Sequence, residues 1–242
     1  MTSTSSFHAI AVEPFPEIKE GGSITAAITD ALAEQGQQLQ PGDILVVASK
    51  VVSISEGQYV ELSTITPGPE ALDLSTRTGK PAEVVQLILN ESTSHYLATA
   101  RGPIIARHRL GYQLTSAGVD RDGAEGAWLL PDDPDASARR LRDELAEATG
   151  VRVAVVIADS DGRGDRRGAT VLAIGTAGLA PLRVTEAPDS GKRQEETLAD
   201  MVAAAAGIIL GQRGRGVPVV IVRGVTYVAS DDGMSSIMHL NR

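Results

Sequence analysis

One stretch constrains this chain more than any other: VRVAVVIADSDGRGDRRGAT, residues 151–170. Val151, Val153, Ala154, Val155, Val156 and Ile157 form an apolar, β-branched run too short for a helix of its own, which predicts a strand buried on both faces. Asp159 and Ser160 are expected to leave that strand just before a loop holding Asp161, Arg163, Asp165, Arg166 and Arg167, threaded by Gly162, Gly164 and Gly168. Carboxylate and hydroxyl oxygens suit Mg2+ or Mn2+, guanidinium forks suit phosphate, and glycines admit a bulky anion close to the backbone. A polar turn closing a core strand is the plainer reading of the same residues.

With only two Phe, one Trp and four Tyr, the core must be aliphatic, and platforms for stacking nucleic-acid bases are not expected. A formal charge of -9 leaves no global positive field, which argues against nucleic acid as a partner. The chain has no cysteine, so disulfides, thiolate nucleophiles and cysteine-ligated zinc are excluded together. The opening MTSTSSFHA has neither a basic nor an apolar leader region, and no apolar run reaches membrane-spanning length. A cytoplasmic protein without a membrane anchor is therefore expected.

Along the chain, a strand over residues 8–12 precedes the stiff EPFPEI segment. Ser23 is placed to cap a helix over residues 24–34, with Gly36 at its end. Residues 44–52 read as a second apolar strand punctuated by Ser49 and Lys50. Lys50 beside hydroxyls suits an anion, although a lone lysine at a strand end is commonly just solvated. Helices are expected over 70–78 and 81–90, short strands over 95–99 and 104–109, and a loop, SAGVDRDGAEG, bearing Asp120 and Asp122. That loop lacks calcium-loop spacing. A helix over 135–149 ends at Gly150 and feeds the central strand. Strand 171–174, a turn over 175–181, an irregular segment over 183–196, a buried helix over 197–210, the glycine- and arginine-rich loop 211–216 and strand 217–222 complete the order.

Three polar loops thus adjoin buried elements. If they converge, Asp120, Asp159, Ser160 and Gln212 could hold one or two divalent cations on a polyphosphate, with Lys50 and the arginines meeting its oxygens. Walker A, Rossmann, nucleophile-elbow and HExxH signatures are all missing. His108 can bind an acidic group or simply pack on a strand edge.

Taken in order, FPEI (15–18), GDILVVASKVVSISEG (42–57), LILNES (87–92), HRLGY (108–112), SAGVD (116–120), LLPDDPDASARRLR (129–142), VVIADSDGR (155–163), AIGTAGLAPL (173–182) and VPVVIVRG (217–224) resemble the coenzyme F420-0:L-glutamate ligase family. The resemblance spans nearly the whole chain. It implies an α+β fold of two parts with mixed sheets and flanking helices, read here as one domain over residues 1–242, and a homodimer. It also implies GTP as co-substrate, with ATP left open, and Mg2+ or Mn2+. The implied reaction phosphorylates a carboxylate on the lactyl-phosphate arm of a deazaflavin and lets the amine of L-glutamate attack the acyl phosphate. By motif position Asp120 and Asp159 correspond to ligands of a first metal, and Ser160 and Gln212 to ligands of a second. Phe15, Pro16, Glu17, Ile18, Ser49, Lys50, Gly211, Arg213, Gly214, Arg215 and Gly216 correspond to the nucleotide's surroundings. Asp159, Arg163 and Arg166 are the catalytic candidates.

The chain also departs from the family's pattern. Ile54 stands where a lysine is usual, Gly123 where an asparagine is usual, and Gly164 and Asp165 replace Pro and Trp beside Arg163 and Arg166. The 183–196 segment is shorter than the family's. Two alternatives stay open on these grounds: a paralogous ligase for another acid and amine, and a non-catalytic binder of nucleotide or deazaflavin.

Overall fold

The computed structural model describes residues 5–187, 191–210 and 217–239. The chain opens with β1 (His8–Ala11), α1 (Ile24–Glu34), β2 (Ile44–Ala48), α2 (Ser49–Ser55), β3 (Tyr59–Glu61), α3 (Pro69–Thr78) and α4 (Ala82–Asn90). It continues through β4 (Ser92–Leu97), β5 (Ile104–His108), β6 (Gln113–Thr115), β7 (Asp120–Asp122), β8 (Gly126–Trp128) and α5 (Pro134–Thr149). The last elements are β9 (Ala154–Gly162), β10 (Ala169–Ala177), β11 (Leu182–Glu186), β12 (Arg193–Thr197), α6 (Leu198–Leu210) and β13 (Val219–Arg223). Helices and mixed sheets in this order make an α+β fold.

The apolar runs become one mixed sheet in the order β1-β13-β2-β9-β10, where β2 and β9 run parallel and the other neighbours antiparallel. Burial on both faces explains their unbroken Val/Ile composition: Ile44, Leu45, Val46, Val47, Val155, Val156, Ile157 and Ile221 are wholly inaccessible to solvent. Each such side chain contributes about 2 kcal/mol by leaving water. α6 packs across all five strands, while α5 lies on β9 and β10. Local signals set the helix ends. Ser23 Oγ accepts from Ala26 N at 3.1 Å to start α1, and Asp133 caps α5 in the same way. Gly150 closes α5 in the left-handed region, at φ 72°.

A second body forms between α2 and α5. Sheets β3-β8-β7 and β4-β5-β6 pack with α3 and α4 around their own apolar cluster, centred on Leu74, Val85, Ile88, Ile104 and Ala106.

Six expectations need correction. The strand over 44–52 stops at Ala48, and residues 49–55 turn into α2, which buries Ser49, Val52 and Ser53 at helical spacing. β9 does not end before the carboxylates: it runs through Asp159, Ser160 and Asp161 to Gly162 because β10 pairs along its full length, leaving 163–168 as the turn. β10 runs on to Ala177 where a turn from Gly175 was expected, with a bulge between Ala173 and Gly175, and a Cβ at Gly175 would strike the Pro134 backbone. The 116–126 loop folds as a short 3-10 turn and the β7–β8 hairpin. The described ends of the irregular segment pair as β11 and β12, with Arg183 and Glu196 directly opposite and 2.7 Å apart, while residues 188–190 lie outside the described residues. Helix α6 is less enclosed than its composition predicts, since Ile208 is 78% exposed.

Among the described residues, no helix is long and apolar enough to cross a membrane.

Candidate functional site

Where the two bodies meet, a cleft of about 1340 Å3 opens, and the site residues gather on its walls. Phe15, Pro16, Glu17 and Ile18 line it from the segment after β1, Ser49, Lys50 and Ile54 from α2, Asp159 and Ser160 from β9, and Asp120 from β7. The parallel register makes this gathering possible. Ala48 pairs with Ala158, so the residues that follow lie side by side: Ser49, where β2 gives way to α2, and Asp159, where β9 runs on. Ser49 Oγ donates to Asp159 Oδ1 at 2.6 Å. One residue on, Lys50 Nζ reaches Asp120 Oδ2 of the second body, also at 2.6 Å.

Asp159 touches the cleft but is otherwise surrounded by protein, and this burial pushes its carboxyl up to about 6. The Ser49 hydroxyl and the Ser160 amide favour its charged form, while the charges of Asp120 and Asp161 oppose it. A carboxylate that is desolvated and faces another carboxylate has an unmet need for positive charge. Asp120, Asp159 and Ser160 offer oxygen donors only, which fits a hard divalent cation whose remaining positions are taken by water or phosphate. Among the described residues no group of three or more His, Cys, Asp or Glu side chains is placed to hold a metal. Gln212, and with it Gly211, Arg213, Gly214, Arg215 and Gly216, lies outside the described residues.

Other candidates sit elsewhere. Arg163 and Arg166 are in the β9–β10 turn, off the cleft wall, and both face Asp165, at 3.7 and 3.2 Å. The aspartate that replaces the family's tryptophan therefore occupies the two arginines named as catalytic candidates. Asp161, grouped above with the cation-binding oxygens, is buried and accepts from Thr115 N at 3.0 Å, tying β6 to β9. Gly123 forms the tip of the β7–β8 hairpin at φ 59°, away from the cleft, whereas Ile54 does line it. His108 is fully buried: its Nδ1 accepts from Leu110 N at 3.0 Å, which leaves Nε2 to carry the proton 3.2 Å from Glu91 Oε2. It is a structural histidine of β5.

Sequence reading missed Lys80 and Arg121, which add two cations to the cleft from the second body. Neither belongs to a recognised spacing. What marks Lys80 is the Gly-Lys-Pro sequence: Gly79 takes the left-handed conformation that ends α3, and Pro81 restricts the lysine before it.

Carboxylates and cations thus converge on one wide cleft between the two bodies. The chain belongs to the F420-0:Gamma-glutamyl ligase family, whose model matches residues 14–224. It is 40% identical to the coenzyme F420:L-glutamate ligase of Methanothermobacter thermautotrophicus over 95% of this chain and 94% of that protein. The enzymes of the same name from Archaeoglobus fulgidus and Methanosarcina mazei are 37% and 35% identical, each over 93% of this chain and 90% and 89% of theirs.

Proposed function

We propose that this protein is a γ-glutamyl ligase that joins L-glutamate to a carboxylate of an F420 precursor, driven by a nucleoside triphosphate in the presence of Mg2+ or Mn2+. The observation that carries the reading is the meeting of Asp159, Asp120 and Lys50 in one cleft of a chain whose relatives bear that activity in their names.

In this reading the terminal phosphoryl group of GTP, or of ATP, passes to the acid: the bond from phosphorus to the diphosphate oxygen breaks, a carboxylate O–P bond forms, and the diphosphate leaves. The amine of L-glutamate then attacks the acyl carbon. A C–N bond forms, the C–O bond to phosphate breaks, and the proton lost from nitrogen passes to solvent. Mg2+ or Mn2+ supplies charge neutralisation at the phosphate oxygens. Asp120, Asp159 and Ser160 hold the metal, Ser49 fixes the Asp159 carboxylate, and Phe15, Pro16, Glu17 and Ile18 flank the nucleotide. Lys50 holds Asp120 in place. The reading also carries a homodimer, which light scattering tests.

The decisive assay is phosphate release with GTP or ATP, and with Mg2+ or Mn2+, in the presence and absence of L-glutamate and the F420 precursor, followed by mass analysis. Release that requires both co-substrates and a product heavier by one glutamyl unit is the expected result. No release in any combination, despite nucleotide binding, would overturn it in favour of a binder. Release with a different acid would favour a paralogous ligase, a reading that the Asp165 pairing of Arg163 and Arg166 keeps in view.

A further inference from the structure

Alternation along the β3-β8-β7 sheet sorts its side chains onto two faces. Val60 and the wholly buried Ala127, paired across β3 and β8, join the apolar cluster of the second body. On the other face Tyr59, Trp128 and Asp120 stand directly opposite one another, with Trp128 in the middle on β8. Trp128 and Asp120 both line the cleft. Direct opposition leaves Cβ atoms about 5 Å apart, so the one indole of the chain stands beside the carboxylate read as a metal ligand.

Its neighbours hold that indole in one place. Nε1–H donates to Asp122 Oδ2 at 3.0 Å. From the β3 side the Tyr59 ring packs against it, with centroids 4.9 Å apart and planes tilted by 60°. A Cβ at Gly126 would strike the Tyr59 ring, so glycine at this point of β8 is what lets the tyrosine lie there. With its N–H taken, the half-buried Trp128 has only aromatic surface left to offer the cleft. A ring fixed before binding lowers the ordering cost of a ligand that stacks on it. The chain has two Phe, one Trp and four Tyr, and the cleft takes one aromatic from each body: Phe15 from the first and the sole Trp from the second.

We propose that Trp128 is a stacking platform of the cleft for a planar heteroaromatic ring of a substrate. The inference rests on the ligase reading above, in which the nucleotide brings a purine, the acid brings a deazaflavin and L-glutamate brings no ring. What the two ring-bearing substrates share is a flat π-system that gains by lying on an indole. Tyr59 and Asp122 are positioning residues that act through Trp128.

The test reads binding by calorimetry, for GDP, ADP and the F420 precursor, each with Mg2+, in the parent protein and in Trp128→Leu and Trp128→Phe. Inorganic pyrophosphate and the lactyl-phosphate arm alone serve as the congeners without rings, measured by displacement. Trp128→Leu should weaken at least one ring-bearing ligand about tenfold or more, as expected for losing a stacked aromatic, with its congener unaffected. Trp128→Phe, which keeps a ring, should recover most of the loss. The arm that weakens, nucleotide or acid, identifies the ring. In the parent protein the single indole N–H proton resonance should move when that same ligand saturates the cleft, a readout that needs no variant to fold. Unchanged affinity for every ring-bearing ligand in Trp128→Leu, an equal loss in Trp128→Phe, a matching loss for the congener, or an indole resonance that no ligand moves overturns the platform. Product formation alongside any of these leaves the ligase reading intact. The expected losses in a protein that makes no product sink the ligase reading but support the platform.

Discussion

Ser49 Oγ and Asp159 Oδ1, 110 positions apart in sequence, lie 2.6 Å apart because β2 and β9 run parallel with Ala48 opposite Ala158. The serine is the first residue of α2 and the aspartate is still within its strand, so the contact joins a helix start to the sheet. Under the ligase reading Ser49 is a positioning residue that acts through Asp159.

Ser49→Ala should therefore lower kcat/KM and Mn2+ affinity about tenfold or more, the usual cost of losing a partner that orients a ligand. The melting temperature should stay close to that of the parent. Mn2+ titration followed by electron paramagnetic resonance, beside thermal denaturation, checks both halves, and Ser49→Thr should retain most of the affinity.

Asp43 is almost inaccessible to solvent, and Arg223 forks onto it, with Nε to Oδ1 at 2.7 Å and Nη2 to Oδ2 at 2.8 Å. Removing only the arginine strands a buried carboxylate, so Arg223→Met should cost about 3–5 kcal/mol in urea unfolding. Adding Asp43→Asn to that variant should restore part of the loss, since the uncompensated charge is then gone. Equal losses in the single and double variants would show that the pair is not coupled.

The buried Asp135 carboxylate gathers the amides of Thr176, Met234 and Ser235, at 2.9, 2.8 and 3.0 Å. It pins the segment after β13 to the bulged half of β10. Asp135→Ala leaves the buried amides of Thr176 and Met234 without this acceptor, at about 1–3 kcal/mol each, and frees the part-buried Ser235 amide. A large loss of stability, with faster proteolysis near the C-terminal end, is the expected outcome by limited digestion and mass spectrometry.

Glu91 is held below its ordinary value of 4.5 chiefly by the His108 hydrogen bond, with burial opposing and Arg109 assisting. An acid with a lowered folded-state value binds fewer protons folded than unfolded in the window between the two values. Its stabilising contribution is therefore complete above about 4.5 and is lost as the pH falls below that toward the depressed value. Glu91→Gln should flatten the acid limb of the stability profile below 4.5 and leave its slope near neutrality unchanged, which urea titrations across pH would read directly.

Much of the secondary structure was legible along the chain because its causes are local. The Ser23 cap, the Gly150 stop and the apolar runs that became β2, β9 and β13 all announce themselves within a few residues. α2 was hidden because SKVVSIS is short and rich in β-branched residues, so its composition reads as more strand. β11 and β12 were hidden for the opposite reason: they are exposed and charged, and they are strands because they pair with each other.

The sequence by itself determined an aliphatic α+β chain without cysteine chemistry, and an order of motifs that places it in its family. It also brought Asp120, Asp159, Ser160, Ser49 and Lys50 forward as the residues that matter. Only the tertiary structure decided which of these meet. Long-range strand register and the packing of the second body onto the first set those distances, and neither is written in local periodicity. The same packing used Asp161 to anchor Thr115 and brought Lys80 and Arg121, 41 positions apart, to the lining of the cleft.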